Sequence, residues 1–246
     1  MDRFFSNNID LQSNKIIIDG DDVKHITKVL RMKEDNLLEI CDNNDNEYIA
    51  KITTMSKKEI CLDIVEHKKV KRESKININL FQGYPKGAKF ELIIQKLTEI
   101  GVCNITPIIT ARVINKSLRE KEAKKFDRWE KIIYEASKQS KRGVIPKLNG
   151  FLSLKEMIDK TEEDDLKIVF YENEDDLNLK DIVKKINKEN IKSISIVIGP
   201  EGGFEEDEIG LLKENNYHIS TLGKRILRTE TASIVAASLI LYEFDI

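Results

Sequence analysis

The stretch that decides the fold is Ile194–Phe204, which reads ISIVIGPEGGF. Its first half, Ile194–Ile198, is almost continuously apolar, which predicts a strand buried on both faces of a parallel sheet. Its second half, Ile198–Gly203, holds three glycines in six residues, a costly composition that favours close approach of the backbone to a ligand. Glu205–Glu214 predicts a helix directly after this turn. Because parallel α/β sheets bind ligands beyond the C-terminal ends of their strands, the turn is a candidate site.

Two further segments repeat this strand, turn and helix order. Phe81–Lys89 (FQGYPKGAK) follows a predicted strand and opens an amphipathic helix, and Leu222–Ala232 (LGKRILRTETA) follows a strand and opens a long apolar helix, with Thr229 as a candidate N-cap. A tight turn alone would explain any one of these loops, but three of them on successive strands indicate one shared site.

The predicted strands of this half are Ile76–Phe81, Ile105–Ile109, Leu166–Tyr171, Ile194–Ile198 and Ile219–Leu222. The predicted helices are Lys86–Ile100, Ala123–Gln139, Leu179–Asn187, Glu205–Glu214 and Thr229–Phe244. The alternation predicts a mostly parallel α/β sheet covered on both faces.

The first 70 residues have a different pattern. One helix is predicted over Asp21–Leu30, and the charged stretch Glu66–Ser74 is the predicted linker to the rest of the chain. Short β-branched or apolar runs predict strands at Lys15–Ile18, Asn36–Cys41, Tyr48–Thr53 and Ile60–Val65. Several short strands and one helix favour a small barrel or sandwich.

Composition and missing motifs exclude several classes. The formal net charge of the 246 residues is −2, so a uniformly basic nucleic-acid binder is excluded, although residues 112–147 carry 12 basic and 5 acidic side chains. That basic segment is either a solvated face or a docking surface for phosphates. The three cysteines and three histidines have no metal-ligand spacing, and the chain has no Walker A, GxGxxG or GxSxG sequence. Without a long apolar run, a soluble cytoplasmic protein with no metal and no membrane partner is expected.

Three segments carry a resemblance to a known family. Gly83–Val102 (GYPKGAKFELIIQKLTEIGV), Ile198–Glu208 (IGPEGGFEEDE) and Leu222–Ala232 resemble the signature segments of the ribosomal RNA small subunit methyltransferase E family, which makes N(3)-methyluridine in 16S rRNA and belongs to the SPOUT superfamily. Met1–Phe5 and His25–Arg31 are similar to its PUA-like RNA-binding domain. The resemblance implies a PUA-like β-barrel domain over 1–72, followed over 73–246 by an α/β domain of the SPOUT type with a C-terminal trefoil knot.

The same resemblance implies the cofactor S-adenosylmethionine, held by the knot loops. Glycine backbone would meet the adenine edge, and Leu222, Ile226 and Leu227 would supply apolar contact. The acidic turn Glu205–Glu208 disfavours phosphate at this loop but tolerates a sulfonium cation. The strand end Phe170–Glu172 is another candidate wall. The cofactor-binding residues implied are Ile198, Gly199, Pro200, Gly202, Gly203, Leu222, Gly223, Ile226, Leu227 and Thr231.

Methylation of a uracil imide nitrogen makes a specific chemical demand, because that nitrogen is protonated at neutral pH. A base, or a donor that stabilises charge developing on a ring carbonyl, has to act. Glu201 and Glu230 are the candidate bases, and Arg228 is the candidate cation for a uracil carbonyl or a phosphate. Glu201 could instead only cap the next helix, and Glu230 could only favour a helix N-terminus.

The expected partner is 16S rRNA, in the small ribosomal subunit, and a homodimer is expected from the dimeric habit of SPOUT proteins and the apolar final helix. The basic segment would supply nonspecific phosphate contacts, and the small domain would position the target. Two other functions remain open: a non-catalytic RNA-binding or ribosome-assembly factor, and a SPOUT methyltransferase acting on tRNA. The candidate RNA-binding residues are Arg3, His25, Arg31, Lys86, Lys89, Lys124, Lys125, Lys138, Lys141 and Arg142.

Overall fold

The computed structural model describes residues 1–69, 71–113, 122–174 and 177–245. They form two compact units. The first contains Met1–Glu73 together with Ser137–Ile145, and the second contains Ser74–Ala136 together with Pro146–Ile246. The mixed α/β class that the sequence predicts is confirmed.

The first unit is built on a six-stranded sheet with the order β1-β4-β5-β6-β3-β2, in which β1 and β4 are parallel and the other pairs antiparallel. A short helix, α1 at Asp21–Lys24, continues as a π-helical turn at His25–Val29, together close to the predicted helix. Alternate apolar side chains of the strands and of this helix, among them Ile16, Ile18 and Ile26, form its core. The strands are β1 (Arg3–Phe5), β2 (Ile9–Asp10), β3 (Lys15–Asp19), β4 (Leu37–Cys41), β5 (Asn46–Met55) and β6 (Glu59–Lys69).

The predicted linker over Glu66–Ser74 is wrong in its first part. Glu66 pairs with Ile49 and Lys69 pairs with Asn46, so these charged residues extend β6 along β5. Their side chains are exposed, and the charged run that indicated a linker is the solvated end of a strand.

The second unit contains a parallel sheet with the order β10-β8-β7-β12-β11-β13, and β9 also pairs with β8. Every described pair in this sheet is parallel, as predicted. The strands are β7 (Asn77–Gly83), β8 (Asn104–Ile109), β9 (Lys147–Leu148), β10 (Leu152–Ser153), β11 (Leu166–Phe170), β12 (Ser193–Ile198) and β13 (His218–Ser220). The helices that follow α1 in the chain are α2 (Lys89–Ile100), α3 (Phe126–Gln139), α4 (Leu154–Lys160), α5 (Leu179–Val183), α6 (Glu206–Glu214) and α7 (Thr229–Phe244).

Helices cover both faces of this sheet. Helix α2 buries the stripe Phe90, Ile93, Ile94 and Leu97, ends at Gly101 with φ +121°, and packs against α7. On the other face, strand residues such as Val197 pack with residues of α4 and α6. The sequence did not predict α4, although Ser153 and Glu156 form a capping box at its start. Helix α5 ends at Val183, four residues before the predicted end.

The strand order brings the three candidate loops together. Strand β12 lies between β7 and β11, so its partners come from distant parts of the chain. Gln82 is in register with Ile198, Ile198 with Phe170, and Phe170 with Ser220. The loops that leave these four positions therefore start side by side at one edge of the sheet, where open α/β sheets bind their ligands.

Candidate functional site

A cavity of 550 Å³ lies where these loops meet, and we call it the glycine-loop cavity. Its wall is formed by residues 170–172, 198–203 and 221–229, with Lys89 from α2 and Ala232 from α7. The volume lies within the range of about 300–1,000 Å³ that is typical of small-molecule sites. The three segments that the sequence singles out thus contribute to one space of the size of a small-molecule ligand. The second and third segments form most of its wall.

Two glycines of the wall hold conformations that other residues rarely adopt. Gly203 has φ +70°, and a Cβ atom there would lie 1.9 Å from Glu172 Oε1. Gly223 has φ +112°, and a Cβ atom there would meet no atom within 4 Å. Gly203 is required both by its positive φ and by the closeness of Glu172. At Gly223 the space that a side chain would fill is open to the cavity.

A buried hydrogen-bond network fixes the floor of the cavity. Gln82, at the end of β7, is fully buried, and its Nε2 donates to Thr229 Oγ1 over 2.9 Å and to the Gly83 carbonyl over 2.9 Å. Nε2 also lies 3.3 Å from the Gly199 carbonyl, to which Thr229 Oγ1 donates over 2.6 Å. Ser233 Oγ lies within hydrogen-bond distance of Gln82 Oε1. The network ties the loop after β12 to the first turn of α7.

This network corrects one prediction and adds a residue that the sequence did not identify. Thr229 is not the N-cap of α7, which is Arg228, because the Thr229 hydroxyl is used on Gly199. Gln82 was missed, although a glutamine at the end of an otherwise apolar strand is a recognisable signal. A buried amide requires partners for its polar atoms.

Glu201 is held by the segment that opens α2. Its carboxylate accepts the Lys86 N–H at 3.1 Å and lies 2.8 Å from Lys89 Nζ. Partial burial raises the pKa of Glu201, but the hydrogen bonds from Lys89 and from the backbone outweigh it, so the net pKa lies below its ordinary value. Glu201 therefore stays ionised at neutral pH and does not cap the next helix, whose N-cap is Glu205.

The other two candidates for catalysis differ in their relation to the cavity. Arg228 is exposed and lines the glycine-loop cavity. Glu230, in the first turn of α7, is not part of the cavity wall, and its buried Oε2 accepts no hydrogen bond from the residues that the structure describes.

Nine of the ten predicted cofactor-binding residues line the glycine-loop cavity, as do Phe170, Tyr171 and Glu172. The tenth, Thr231, is exposed and lies outside the wall, where Thr229 and Ala232 take part instead. Ile226 is 82 % exposed, an unusual position for a large aliphatic side chain, and it faces this cavity. An exposed isoleucine on a ligand-sized cavity is available for apolar contact with a bound molecule.

Candidate RNA-binding lysines of the second unit are accessible. Lys86 and Lys124 are exposed, and Lys89 lines the glycine-loop cavity, where it pairs with Glu201. Lys125 is exposed and pairs with Glu122 at 2.6 Å. The basic residues Lys116, Arg119 and Lys121 of the basic segment lie outside the described residues.

In the first unit, several predicted RNA contacts are interior residues. The Arg3 guanidinium hydrogen-bonds with Glu39 and Glu47, and its Nη2 donates to the Arg142 carbonyl over 2.6 Å. Arg142 is itself 5 % exposed and pairs with Glu73 at 2.6 Å.

Lys138 is similar, since its side chain is 8 % exposed and lies 4.7 Å from the centre of the Phe4 ring. His25 is half-buried against Phe4, while Arg31 and Lys141 are exposed. Burial leaves little of Arg3, Lys138 and Arg142 for contact with phosphates.

Metal centres and membrane-spanning helices are absent from the described residues. Among residues 1–69, 71–113, 122–174 and 177–245, no cluster of three or more histidine, cysteine or acidic side chains has the arrangement of a metal centre. Within the same ranges, no helix combines the length and apolar character needed to cross a bilayer.

Two family models match the chain. The model of the RNA methyltransferase domain matches residues 72–241, and the model of the RNA methyltransferase PUA domain matches residues 18–65. The first match includes the whole wall of the glycine-loop cavity.

Curated relatives and solved structures agree with these models. The ribosomal RNA small subunit methyltransferase E of Bacillus subtilis is 35 % identical over 233 residues, which are 93 % of this chain and 90 % of the relative. The protein of the same name from Buchnera aphidicola is 36 % identical over 228 residues, 92 % of this chain and 88 % of the relative. A protein from Legionella pneumophila, described as a methyltransferase and solved with bound S-adenosylmethionine, is 31 % identical with a TM-score of 0.86, covering 98 % of this chain and 96 % of its own. The ribosomal RNA small subunit methyltransferase E of Neisseria gonorrhoeae, also solved with S-adenosylmethionine, is 29 % identical with a TM-score of 0.86, covering 98 % and 97 %.

A parallel sheet with a glycine-walled cavity, in a chain that also carries a PUA region, defines an RNA methyltransferase. Within that class, the chain belongs to the ribosomal RNA small subunit methyltransferase E family.

Proposed function

We propose that this chain transfers a methyl group from S-adenosylmethionine to N(3) of one uridine in the 16S rRNA of the small ribosomal subunit. The observation that carries the proposal is the glycine-loop cavity, whose wall comes mainly from two of the three segments that resemble the family's signatures, with Lys89 from the first. The two S-adenosylmethionine complexes among the similar structures support the choice of cofactor.

The residues of the cavity fit this cofactor. The open space at Gly223 and the backbone of residues 198–203 can receive a flat, polar adenine edge. Exposed Ile226, with Leu222 and Leu227, offers apolar contact to the bound molecule. Glu172 and Glu201 place carboxylates in a wall that also carries Lys89, Lys224, Arg225 and Arg228, so a carboxylate is available to a sulfonium and a cation to the carboxylate of the methionine part. When bound, S-adenosylmethionine supplies an electrophilic methyl group.

The chain's own residues then have to orient the uracil and manage its imide proton. Arg228, exposed on the glycine-loop cavity, is placed to attract a uracil carbonyl oxygen or a phosphate. Glu201 is an ionised carboxylate and can accept a hydrogen bond from the imide N–H. Its lowered pKa makes it a weak base, so we assign it to orientation as well as to proton acceptance. Glu230 is the second candidate base, with an unpartnered oxygen at the start of α7.

Residues 1–72 would bind RNA and residues 73–246 would carry the transfer reaction, with the trefoil knot formed by the C-terminal loops. A homodimer is also part of the proposal. It is supported by α7, which is apolar around its circumference yet exposes Leu239 to 40 % and Tyr242 to 66 %. Light scattering at micromolar concentration tests the dimer, and a monomer would contradict it. The expected location is the cytoplasm, where ribosomal subunits are made.

The proposed function is tested by mapping the modified nucleoside. Purified protein and S-adenosylmethionine are incubated separately with small subunits, with deproteinised 16S rRNA and with tRNA, and each RNA is digested and analysed by mass spectrometry for N(3)-methyluridine. Binding of S-adenosylmethionine is measured in parallel by calorimetry. Formation of that nucleoside at one position supports the proposal. Methylation of tRNA instead would support the tRNA enzyme, and cofactor binding without any transfer would favour a non-catalytic RNA-binding protein.

A further inference from the structure

A second cavity, of 370 Å³, lies beside the glycine-loop cavity in the same unit. Pro200, Glu201 and Gly202 line both cavities, so one short segment of backbone forms the partition between them. We call this space the second cavity. This segment would separate a molecule bound in the second cavity from a cofactor in the glycine-loop cavity.

The interior of the second cavity holds a fixed carboxylate. Tyr84 Oη donates to Glu122 Oε2 over 2.8 Å, and Lys125 Nζ lies 2.6 Å from the same oxygen. The Tyr84 ring is packed against Phe90 and Phe151, so the phenol cannot move away. Among the described residues nothing donates to the other carboxylate oxygen, Oε1, although the Glu122 side chain is only 15 % exposed.

Cationic side chains lie on the same wall. The Arg112 guanidinium is occupied by Glu205 at 2.7 Å and by the Gly202 carbonyl. Lys86 is exposed, and its ammonium pairs with no acid in the part of the chain that the structure describes. A lysine in this situation attracts a phosphate.

These groups specify the chemistry of the ligand. A carboxylate oxygen only accepts hydrogen bonds, so Glu122 favours a base edge with an exocyclic amino group, as in adenine, cytosine or guanine. Uracil is disfavoured, because it has no exocyclic amino group and its single N–H is the imide proton that the proposed function assigns to Glu201. The reacting uridine is therefore not the occupant, and a nucleotide joined to it in the RNA is.

We propose that the second cavity binds a nucleotide next to the methylated uridine, that the base of this nucleotide carries an exocyclic amino group, and that Glu122 selects it while Lys86 attracts its phosphate. The inference rests on the proposed function, since it takes RNA as the substrate.

The binding test uses short single-stranded RNAs with a central uridine, wild-type protein saturated with S-adenosylhomocysteine, and fluorescence anisotropy. Adenosine on each side of the uridine is replaced in turn by purine riboside, which keeps the ring and lacks the amino group. We expect the affinity to fall about tenfold at one of the two positions, the effect of one charge-assisted hydrogen bond. Equal affinities at both positions would overturn the inference.

Variants assign the effect to the carboxylate. Glu122→Gln can still accept from Tyr84 but places an amide donor where Oε1 was, so it should bind adenosine and purine riboside equally. The matched control is Glu99→Gln, in α2 and outside both cavities, which should discriminate as the wild type does. Thermal unfolding and S-adenosylmethionine affinity check that both variants are folded. A Glu122→Gln protein that discriminates like the wild type would overturn the inference.

The two proposals fail in different ways. Methyl transfer to small-subunit RNA is measured in parallel on the wild type. If methyl transfer occurs but the binding test shows no discrimination between adenosine and purine riboside, the role of the second cavity is overturned and the proposed function stays intact. The absence of transfer to any RNA overturns both.

Discussion

Gln82 and Thr229 are 147 residues apart in the chain, yet Gln82 Nε2 donates to Thr229 Oγ1 over 2.9 Å in the fully buried floor of the glycine-loop cavity. The direction of this bond is fixed, because the Thr229 hydroxyl proton is used on the Gly199 carbonyl at 2.6 Å. The amide nitrogen of Gln82 thus faces three oxygens, and only a donor at that position satisfies them.

Replacing Gln82 by glutamate should damage the cavity without changing its size. A carboxylate at this position would face the Gly83 and Gly199 carbonyls without a donor between them, so we expect a loss of about 1–3 kcal/mol in the free energy of unfolding. S-adenosylmethionine affinity, measured by calorimetry, should fall at least tenfold. The control is Gln95→Glu, the same change on the exposed face of α2. Equal cofactor affinity in the two variants would contradict a role for this amide in shaping the site.

Gly83→Ala should move the loop that carries Glu201. A Cβ atom at Gly83 would lie 2.4 Å from the backbone nitrogen of Pro200, which cannot rotate away. We expect a destabilisation of about 1–3 kcal/mol, as for overpacked cores, together with weaker cofactor binding. Gly210→Ala is the matched control, because a Cβ there meets nothing within 4 Å and α6 should gain about 0.5–1 kcal/mol. Urea unfolding measures both, and a Gly83→Ala protein as stable as the wild type would show that the loop gives way freely.

Lys89→Met should change stability in a pH-dependent way. The folded pKa of Glu201 lies below its ordinary value, so the pairing with Lys89 contributes stability above the unfolded pKa, and this is lost as the pH falls through the folded pKa. The melting temperatures of Lys89→Met and wild type should therefore differ most near pH 7 and converge below about pH 4. Both side chains are partly exposed, so the difference should stay under about 1 kcal/mol. Lys96→Met, which removes a pair of similar exposure on the same helix but outside the glycine-loop cavity, serves as the control. A difference that grows toward acid pH would have the wrong sign for this pair.

Neutralising Lys124 and Lys141 should weaken RNA binding at all sequences. Both lysines are exposed, and the slope of log affinity against log salt should flatten by about 0.7–0.9 for each phosphate that is no longer neutralised. Lys155→Gln with Lys160→Gln removes the same charge from α4, outside the basic segment, and should leave the slope unchanged. Identical slopes for the two double variants would show that the basic segment is only a solvated face.

Arg142→Gln should act on stability and not on the salt slope. The Arg142 guanidinium is buried against Glu73, and its loss leaves a carboxylate that is 16 % exposed without its cation. We expect a loss of roughly 3 kcal/mol in unfolding free energy, the usual cost of breaking a buried pair. If Arg142→Gln instead kept its stability and lowered the salt slope, the guanidinium would be a phosphate contact after all.

Ile226→Ser separates binding from folding. A side chain that is 82 % exposed contributes little to the core, so the unfolding free energy should change by less than about 0.5 kcal/mol. S-adenosylmethionine affinity should nevertheless fall, because serine offers the cofactor no apolar surface at this point of the cavity wall. Unchanged affinity would remove Ile226 from the site.

The order of elements in the second unit could be predicted because each has a strong local signal. The apolar run of β12 and the stripe of α2 reflect their burial directly, and clustered glycines mark the loops that form the cavity wall. Strand pairs such as β1 with β4 could not be predicted in the same way, because a three-residue strand has no periodicity of its own.

The burial of charged side chains was the main feature of the site that the sequence could not predict. Arg3 and Arg142 carry the residue type of a phosphate contact, and their burial depends on acids far away in the chain, Glu39, Glu47 and Glu73. Gln82 was missed for a related reason, since two of its partners, Gly199 and Thr229, are more than 100 residues away in the chain. The local sequence shows which residue types are suited to a role. Only the tertiary structure shows which of those side chains are already engaged in ion pairs or hydrogen bonds with one another.

The placement of residues 137–145 in the first unit limits how this protein can be rearranged in evolution. The chain passes between the units three times, after Glu73, Ala136 and Ile145. Within the first unit, the Arg142 and Gly143 carbonyls accept hydrogen bonds from Arg3 and from Cys41. A gene fragment ending near codon 72 would encode a β-sheet without the segment that completes its interior. Recombination that joins this N-terminal region to a foreign catalytic domain would therefore yield a folded product only where the donor supplies an equivalent insertion.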